Sequence, residues 1–597
     1  MIQTWRDTDL EAAILDDITL DEPWALIERF STLTRLSGSA DEAQAVDYIT
    51  GKLSGWGIEH AVYHPTCLIS LPGPATLRTL GDGGKSYTVK TPSFSPTTGG
   101  QEVEAELVYV PGSQAAGINE LFSDQRTAAG QDLRGKIVMT EGLGIAARGF
   151  DLAGSGAVAA LFINPGQRIH EGITTTTWGS PDIDSLGRTP PVPILTINRP
   201  DGDALIEQLR QGPVRVAFSN QTDTGWREIP VIVAEIDSET DTDDFLLFHG
   251  HLDSWHVGVG DNATGDATLL ELARVFQRHR DKLERSIRVA WWSGHSHGRY
   301  AGSTWYAQEF AHDILQHCVA HVNCDSPGCR WATVYENVSW MSEAAEFAKN
   351  VIRDVTGLEA TGEGHVLRAG DCSFNNLGVT TYFMLSSTMP QDLVIEKGYY
   401  PVGGCGGNIA WHTEDDTLEI ADRDNLLRDM RVYAAAILRT VNAPILPFDY
   451  RATVDEMAEA VRGYQAAALD AFDFEPSLDA LDALRDALDE LYVSFESAGD
   501  DAERIAAAND VQIDIGRILV TLGYTRDGRF RQDPARAIPT VPLLATANQL
   551  AGADDDMRQA ILNDLRRGQN EVVWELVQAI GAVENALAWQ VLQEEAD

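Results

Sequence analysis

The sequence predicts an α/β protein in three parts, and three observations predict it. Strand and helix patterns alternate between Val231 and Asn323, short β-like runs broken by Gly and Pro fill residues 72–222, and helical stripes alone follow Pro447. A chain of 597 residues exceeds what one hydrophobic core serves, so division into domains is expected. Its 44% apolar and 23% charged residues are ordinary for a soluble globular protein.

Taken in order, residues 1–71 open the first part. Apolar spacing in Trp24, Leu26, Ile27 and Phe30, then in Ala45, Tyr48, Ile49 and Leu53 before Gly57, reads as helix, turn, helix, strand. Residues 72–222 change texture: Leu107-Val108-Tyr109-Val110 stops at Pro111-Gly112, and Ile137-Val138-Met139 follows Gly135-Lys136. This stretch reads as a β-rich insertion. Over residues 223–446 alternation resumes, with strands at Val231–Ile236, Phe245–Phe248, Ile287–Trp292 and Val319–Asn323 and a helix from Ala267 to Arg278. That order suits a mostly parallel sheet with crossover helices. Residues 447–597 carry the stripes Leu481, Leu484, Leu488, Leu491 and Leu576, Ile580, Val583, Leu587, which predict a helical domain whose unburied faces would favour dimerisation.

Charge narrows the partners. Ninety acidic against 45 basic residues give a formal net charge of -45, a field that repels nucleic acid and anionic membranes. The N-terminus lacks a basic stretch followed by an apolar run, and no uncharged apolar segment approaches the length of a membrane span, so a cytoplasmic location is expected. The six Cys form no C-x-x-C pair and are sparse, which argues for free thiols.

The densest chemical signal is His249-Gly250-His251-Leu252-Asp253-Ser254-Trp255, followed by Asp261-Asn262-Ala263-Thr264-Gly265. A strand ending in His-x-Asp delivers both side chains to the carboxyl edge of the sheet, where open α/β folds build sites. Imidazole and carboxylate are ligands that zinc accepts, and a nearby acid orients a ligating His through its other nitrogen. His251 is therefore a candidate metal ligand and Asp253 its orienting partner. Asp325 closes another strand in Asn323-Cys324-Asp325-Ser326, and His412 follows a Gly-rich loop in Trp411-His412-Thr413.

These runs, with Asp371 and Phe374 before Gly378-Val379 and with Asp416-Thr417, resemble in order the zinc aminopeptidase family that includes glutamate carboxypeptidase II and the transferrin receptor. The resemblance implies a zinc-exopeptidase-like domain in which a zinc pair is held by a His, a bridging Asp, a Glu, an Asp and a final His. It places His251, Asp261, Asp325 and His412 at four of those positions and implies a peptide or small-molecule substrate. Leu133-Arg134-Gly135-Lys136-Ile137-Val138, Gly154–Ala160 and Pro191–Ile194 resemble a protease-associated domain. In that branch the helical domain forms a homodimer.

One position departs from the pattern. Family members carry a Glu-Glu pair after the strand that is here Arg288–Trp292, the first Glu a general base and the second a ligand. This chain reads Ser293-Gly294-His295-Ser296-His297-Gly298-Arg299-Tyr300-Ala301-Gly302-Ser303. Counting from the strand puts His295 at the base position, whereas counting back from Gly302 puts His297 at the ligand position, and both registers stay open. Imidazole serves either role, since it ligates zinc at about 2.0 to 2.1 Å and titrates near 6.5. The expectation is a metal-dependent amide or peptide hydrolase holding one or two zinc ions, or another divalent transition metal. Alternatives are non-hydrolytic chemistry on the same metal (lyase, isomerase or cyclising transfer) and a catalytically inactive binding protein. Arg299 and Arg368 are candidates to hold a substrate carboxylate.

Overall fold

A computed structural model describes residues 5–112, 132–144, 152–363, 365–383, 387–495, 499 and 501–596. Helices Thr8–Asp17, Asp21–Phe30 and Ala40–Gly55 lead into strand β1, Glu59–Tyr63. Each helix start has a local cause where one is visible: Asp7 and Ser39 accept backbone N–H bonds from the first turns they precede.

The central sheet contains β1, β10 (Val231–Ile236), β12 (Ser286–Trp292), β11 (Phe245–His251) and β13 (Cys318–Asn323), in that order. β11 runs parallel to both β12 and β13, but β10 is antiparallel to both β1 and β12. The sheet is therefore mixed rather than mostly parallel. The reason lies in the splice: β1 enters the insertion and β10 leaves it, so the two return antiparallel, and only the strands joined through crossover helices run parallel. Phe245–His251 is buried at every position, as expected of a strand covered on both faces.

The insertion builds an eight-stranded sheet from β2 (Thr66–Thr79), β3 (Ser86–Tyr87), β4 (Val89–Lys90), β5 (Val103–Tyr109), β6 (Lys136–Glu141), β7 (Ala159–Ile163), β8 (Ile194–Ile197) and β9 (Val214–Glu228). β5 to β8 are mutually parallel, and β2 and β9 form a long antiparallel ribbon that starts before and ends after the expected bounds of the insertion. This sheet has its own core, around Ile137, Leu161, Leu195 and Phe218.

Helices Tyr450–Ala468, Glu475–Phe495, Ala502–Tyr524 and Asp555–Ala596 follow. Their stripe residues Leu481, Leu488, Ile515 and Leu576 belong to the same buried cluster as Leu246 and Phe248 of β11, so these helices share one continuous core with the central sheet. No helix among the described residues is long and apolar enough to cross a membrane.

Candidate metal centre

The carboxyl edge of the central sheet delivers the candidate ligands. His251 ends β11, Asp325 lies just past β13, and Asp261 sits in the loop before helix Thr264–Arg278. Asp261 is placed by Asp416, whose carboxylate accepts the backbone N–H groups of Gly260 at 2.7 Å and Asp261 at 3.0 Å. Burial pushes the Asp416 carboxyl up to about 7.

Asp261 lies between the two histidines. Its Oδ1 is 2.9 Å from His251 Nε2 and its Oδ2 is 3.1 Å from His412 Nε2, while Asp325 Oδ2 stands 3.7 Å from His251 Nε2. Both imidazoles have their Nδ1 fixed by an acceptor: the carbonyl of Asp253 lies 2.8 Å from His251 Nδ1, and that of Glu171 lies 3.0 Å from His412 Nδ1. Each Nδ1 must donate, so in the neutral rings each Nε2 turns a lone pair toward a carboxylate oxygen. His251 Nε2 is buried without a hydrogen bond of acceptable geometry. Each Nε2–oxygen contact needs a proton or a metal cation between its two atoms, and a borderline ion with imidazole and carboxylate ligands fits. Burial opposes protonation of His251, yet Asp261 and Asp325 raise its pKa well above the usual histidine value. Burial likewise opposes ionisation of Asp261, whose contacts with His251 and His412 nevertheless hold it well below the carboxylate range.

The His295-Ser296-His297 loop forms one helical turn, His295–Gly298, entered through Gly294 at φ 76°. A Cβ on Gly294 would lie 2.9 Å from Ile229 and 3.0 Å from Ala301, so only glycine fits. Asp253 caps the turn, since its carboxylate accepts the N–H of His295 at 3.0 Å and of Ser296 at 2.9 Å. The Ser37 hydroxyl donates to the same carboxylate at 2.9 Å, and His297 Nδ1 lies 3.4 Å away. This corrects the sequence expectation for Asp253: its backbone carbonyl orients His251, while its carboxylate organises the loop.

The two loop histidines separate. The His295 ring stacks on His251 with centroids 3.8 Å apart, and the candidate ligand atoms of His251, His295 and Asp325 lie within 4.8 Å of one another. Its Nδ1 is 2.8 Å from Asp371 Oδ2, and the other Asp371 oxygen accepts from Ser303 at 2.6 Å. His297 is fully buried behind Asp253 and packs on Trp255 at 4.3 Å, apart from that cluster, so the structure does not bring it to the metal position. Asp253 fixes the turn so that its first residue faces the cavity and its third faces the core.

Other sequence candidates are accounted for. His249 accepts from Trp292 Nε1 at 2.9 Å and lies 3.1 Å from His321, inside the core. His256 stands 3.4 Å from Glu171. Cys324, Cys372 and Cys405 are buried thiols, and burial pushes Cys372 up to about 12. Arg368 donates to the carbonyls of Pro534 and Asp533 and to Gln532 Oε1, and lies over Trp178. Sequence reasoning missed Glu171 and His170 of the insertion, which line the cavity with Asp261, His295, Arg299, Asp325 and His412. His170 is held by the Trp411 carbonyl at 2.6 Å and Tyr400 at 2.8 Å, and burial lowers its pKa to about 4.

Residues 231–437, which hold every one of these candidate ligands, match peptidase family M28. This segment is a peptidase family M28 domain. The chain is 22% identical over 507 residues to "Probable glutamate carboxypeptidase VP8" of Zea mays, covering 72% of this chain and 68% of that protein. It is 23% identical over 443 residues to "Aminopeptidase NAALADL1" of Rattus norvegicus, covering 58% of each. A peptidase M28 precursor from Shewanella amazonensis SB2B has a similar fold, with TM-score 0.55, 21% identity, and coverage of 73% of this chain and 97% of that one. The zinc aminopeptidase BSAP of Bacillus subtilis is likewise similar, at TM-score 0.52 and 17% identity over 71% of this chain and 96% of that one.

Proposed function

We propose that this M28 protein hydrolyses an amide bond near the end of a short peptide, at a zinc position made by His251, Asp261 and Asp325, with His295 completing the site. The observation that carries the reading is the pair of Nε2 atoms of His251 and His412 set 2.9 and 3.1 Å from the two oxygens of Asp261. Zinc bound there would supply Lewis acidity toward the amide carbonyl. Asp261 and Asp325 neutralise part of that charge. His295, its Nδ1 engaged by Asp371, presents Nε2 to the same space and takes a proton from the attacking water, then returns it to the leaving amine. Asp253 keeps His295 in position through the backbone of its turn. A second ion would find only His412 and the other oxygen of Asp261 among the described ligands, which favours one tightly held ion.

A second reading has its own observation. The ligating atom of His295 stands with those of His251 and Asp325, so His295 is also placed to be a fourth ligand. His295→Ala separates the two. Retained zinc with lost hydrolysis of peptides makes His295 the proton carrier, lost zinc makes it a ligand, and retained zinc with retained hydrolysis removes it from the site. Absence of zinc from wild-type protein purified without chelator, together with no zinc-dependent peptide turnover, would overturn the assignment as a whole.

In this reading the eight-stranded insertion is a protease-associated domain that walls the cavity. The helices after Asp449 form a homodimer interface, supported by the exposed Trp574 and Val577 on one face of helix Asp555–Ala596. The net charge of -45 supports a cytoplasmic enzyme that avoids nucleic acid and membranes.

A further inference from the structure

We propose that Arg299 reads a free carboxylate on the substrate, so that the site selects molecules carrying an anionic group beside the reacting amide. The inference rests on the hydrolase reading for the word substrate. Among the described residues that line the cavity of Asp261, His295, Asp325 and His412, Arg299 is the one Lys or Arg. Nothing described in the protein claims its charge: its single hydrogen bond is a long one, 3.5 Å from Nη2 to the carbonyl of Ala535, and its Nε is buried without a partner.

Arg299 is half-buried, and two other arginines of this chain are spent differently. Arg517 donates to the carbonyls of Ile314, Leu315, Gly378 and Cys318, and Arg368 to three acceptors of the segment around Asp533. Glu171, the remaining acidic group among the described residues that line the cavity apart from the candidate ligands, is taken by Lys90 at 2.9 Å and His256 at 3.4 Å. Arg299 therefore stands as a cation in reserve, in a chain with twice as many acids as bases.

The backbone under Arg299 is built to hold it there. Arg299 and Tyr300 are consecutive left-handed residues, at φ 50° and 68°, which non-glycine residues adopt only when the surroundings impose it. The surroundings do: Gly179 donates to the Arg299 carbonyl at 2.6 Å, and the Tyr300 ring is wedged between Trp178 at 4.1 Å and His295 at 4.8 Å. A fixed backbone with an uncommitted planar guanidinium suits two-pronged recognition of a carboxylate.

The test measures binding of N-acetylglycine and N-acetylglycinamide to the full-length, zinc-loaded protein, and again after chelation. Hydrogen bonds to a charged partner are worth about 10- to 100-fold in affinity, so wild type should prefer the carboxylate by at least about 10-fold in both states. Arg299→Gln should bring the two ligands within about 2-fold of each other, and Arg299→Lys should fall between. Thermal midpoints of both variants should match wild type, and Arg299→Lys serves if the Gln variant fails to fold. No carboxylate preference in wild type, a preference unchanged in Arg299→Gln, or one that vanishes on chelation would overturn the proposal. A preference that depends on Arg299 without any peptide turnover would sink the hydrolase reading and leave this one standing. Turnover with a preference indifferent to Arg299 would do the reverse.

Discussion

Two histidine–carboxylate pairs flank the same turn of this protein, and they differ in almost everything but composition. At the front, His295 meets Asp371 at 2.8 Å and shows its other nitrogen to the cavity and to His251. At the rear, His297 lies 3.4 Å from Asp253, its other nitrogen has no hydrogen-bond partner, and its ring is sealed against Trp255. A single helical turn carries both. What an imidazole does is decided by where its second nitrogen points, and a turn of helix sends residues two apart in opposite directions.

The comparison breaks most sharply on activity. His295→Ala should lower kcat by about 1,000-fold, as expected of a positioned proton carrier, with an unchanged thermal midpoint. His297→Ala should keep kcat within about 10-fold. Equal losses in the two variants would erase the front-rear distinction. Asp371→Asn should cost about 10- to 100-fold in kcat, the usual effect of removing the group that orients a functional His, with metal content assayed alongside.

Stability should respond in the opposite order. His297→Ala empties a fully buried site and removes a partner of the Asp253 carboxylate, which burial would push up but which His297 holds well below the carboxylate range. A loss of about 2 to 4 kcal/mol is expected in denaturant titration. Chelation should lower the thermal midpoint of wild type and of His297→Ala alike, and zinc should restore both, because binding to the folded state alone stabilises it.

The smallest effect lies away from both pairs. Burial pushes Glu235 of β10, beside Arg288 of β12, up to about 7. A carboxyl whose folded pKa exceeds its unfolded value binds a proton preferentially in the folded state. Its stabilising contribution is complete below the unfolded value of about 4.3 and is lost as pH rises toward 7. Glu235→Gln should flatten that part of the stability–pH curve; an unchanged slope would show that Glu235 titrates normally.

Much of the fold was legible because its signals are local. The strand at Val231–Ile236 was readable to the residue, and the His251 and Asp325 strand ends followed from apolar runs stopping at polar residues. Antiparallel β1 and β10 were not, because a pairing made across an insertion of that length leaves no periodicity in either strand. In the site, residue type, order and the family resemblance singled out His251, Asp261, Asp325 and His412 as candidates. The choice between His295 and His297 required the backbone of the turn, which Asp253 sets from the loop after β11. Likewise no local pattern announces that the Glu171 carbonyl of the insertion orients His412.

The cavity wall has a consequence for how the protein comes into being. Every candidate ligand is synthesised by residue 412, and residues 251–412 already sit around one sheet edge. The wall is not yet complete: Arg299 and Arg368 lean on carbonyls between Asp533 and Ala535, and Ala535 donates back to Thr176 of the insertion. A growing chain therefore contains all the candidate ligands before it contains the segment that completes the pocket, because contacts this distant in sequence form only after the intervening chain is released. The residues proposed to hold an ion and the residues that shape the space in front of it are thus made at different moments of synthesis.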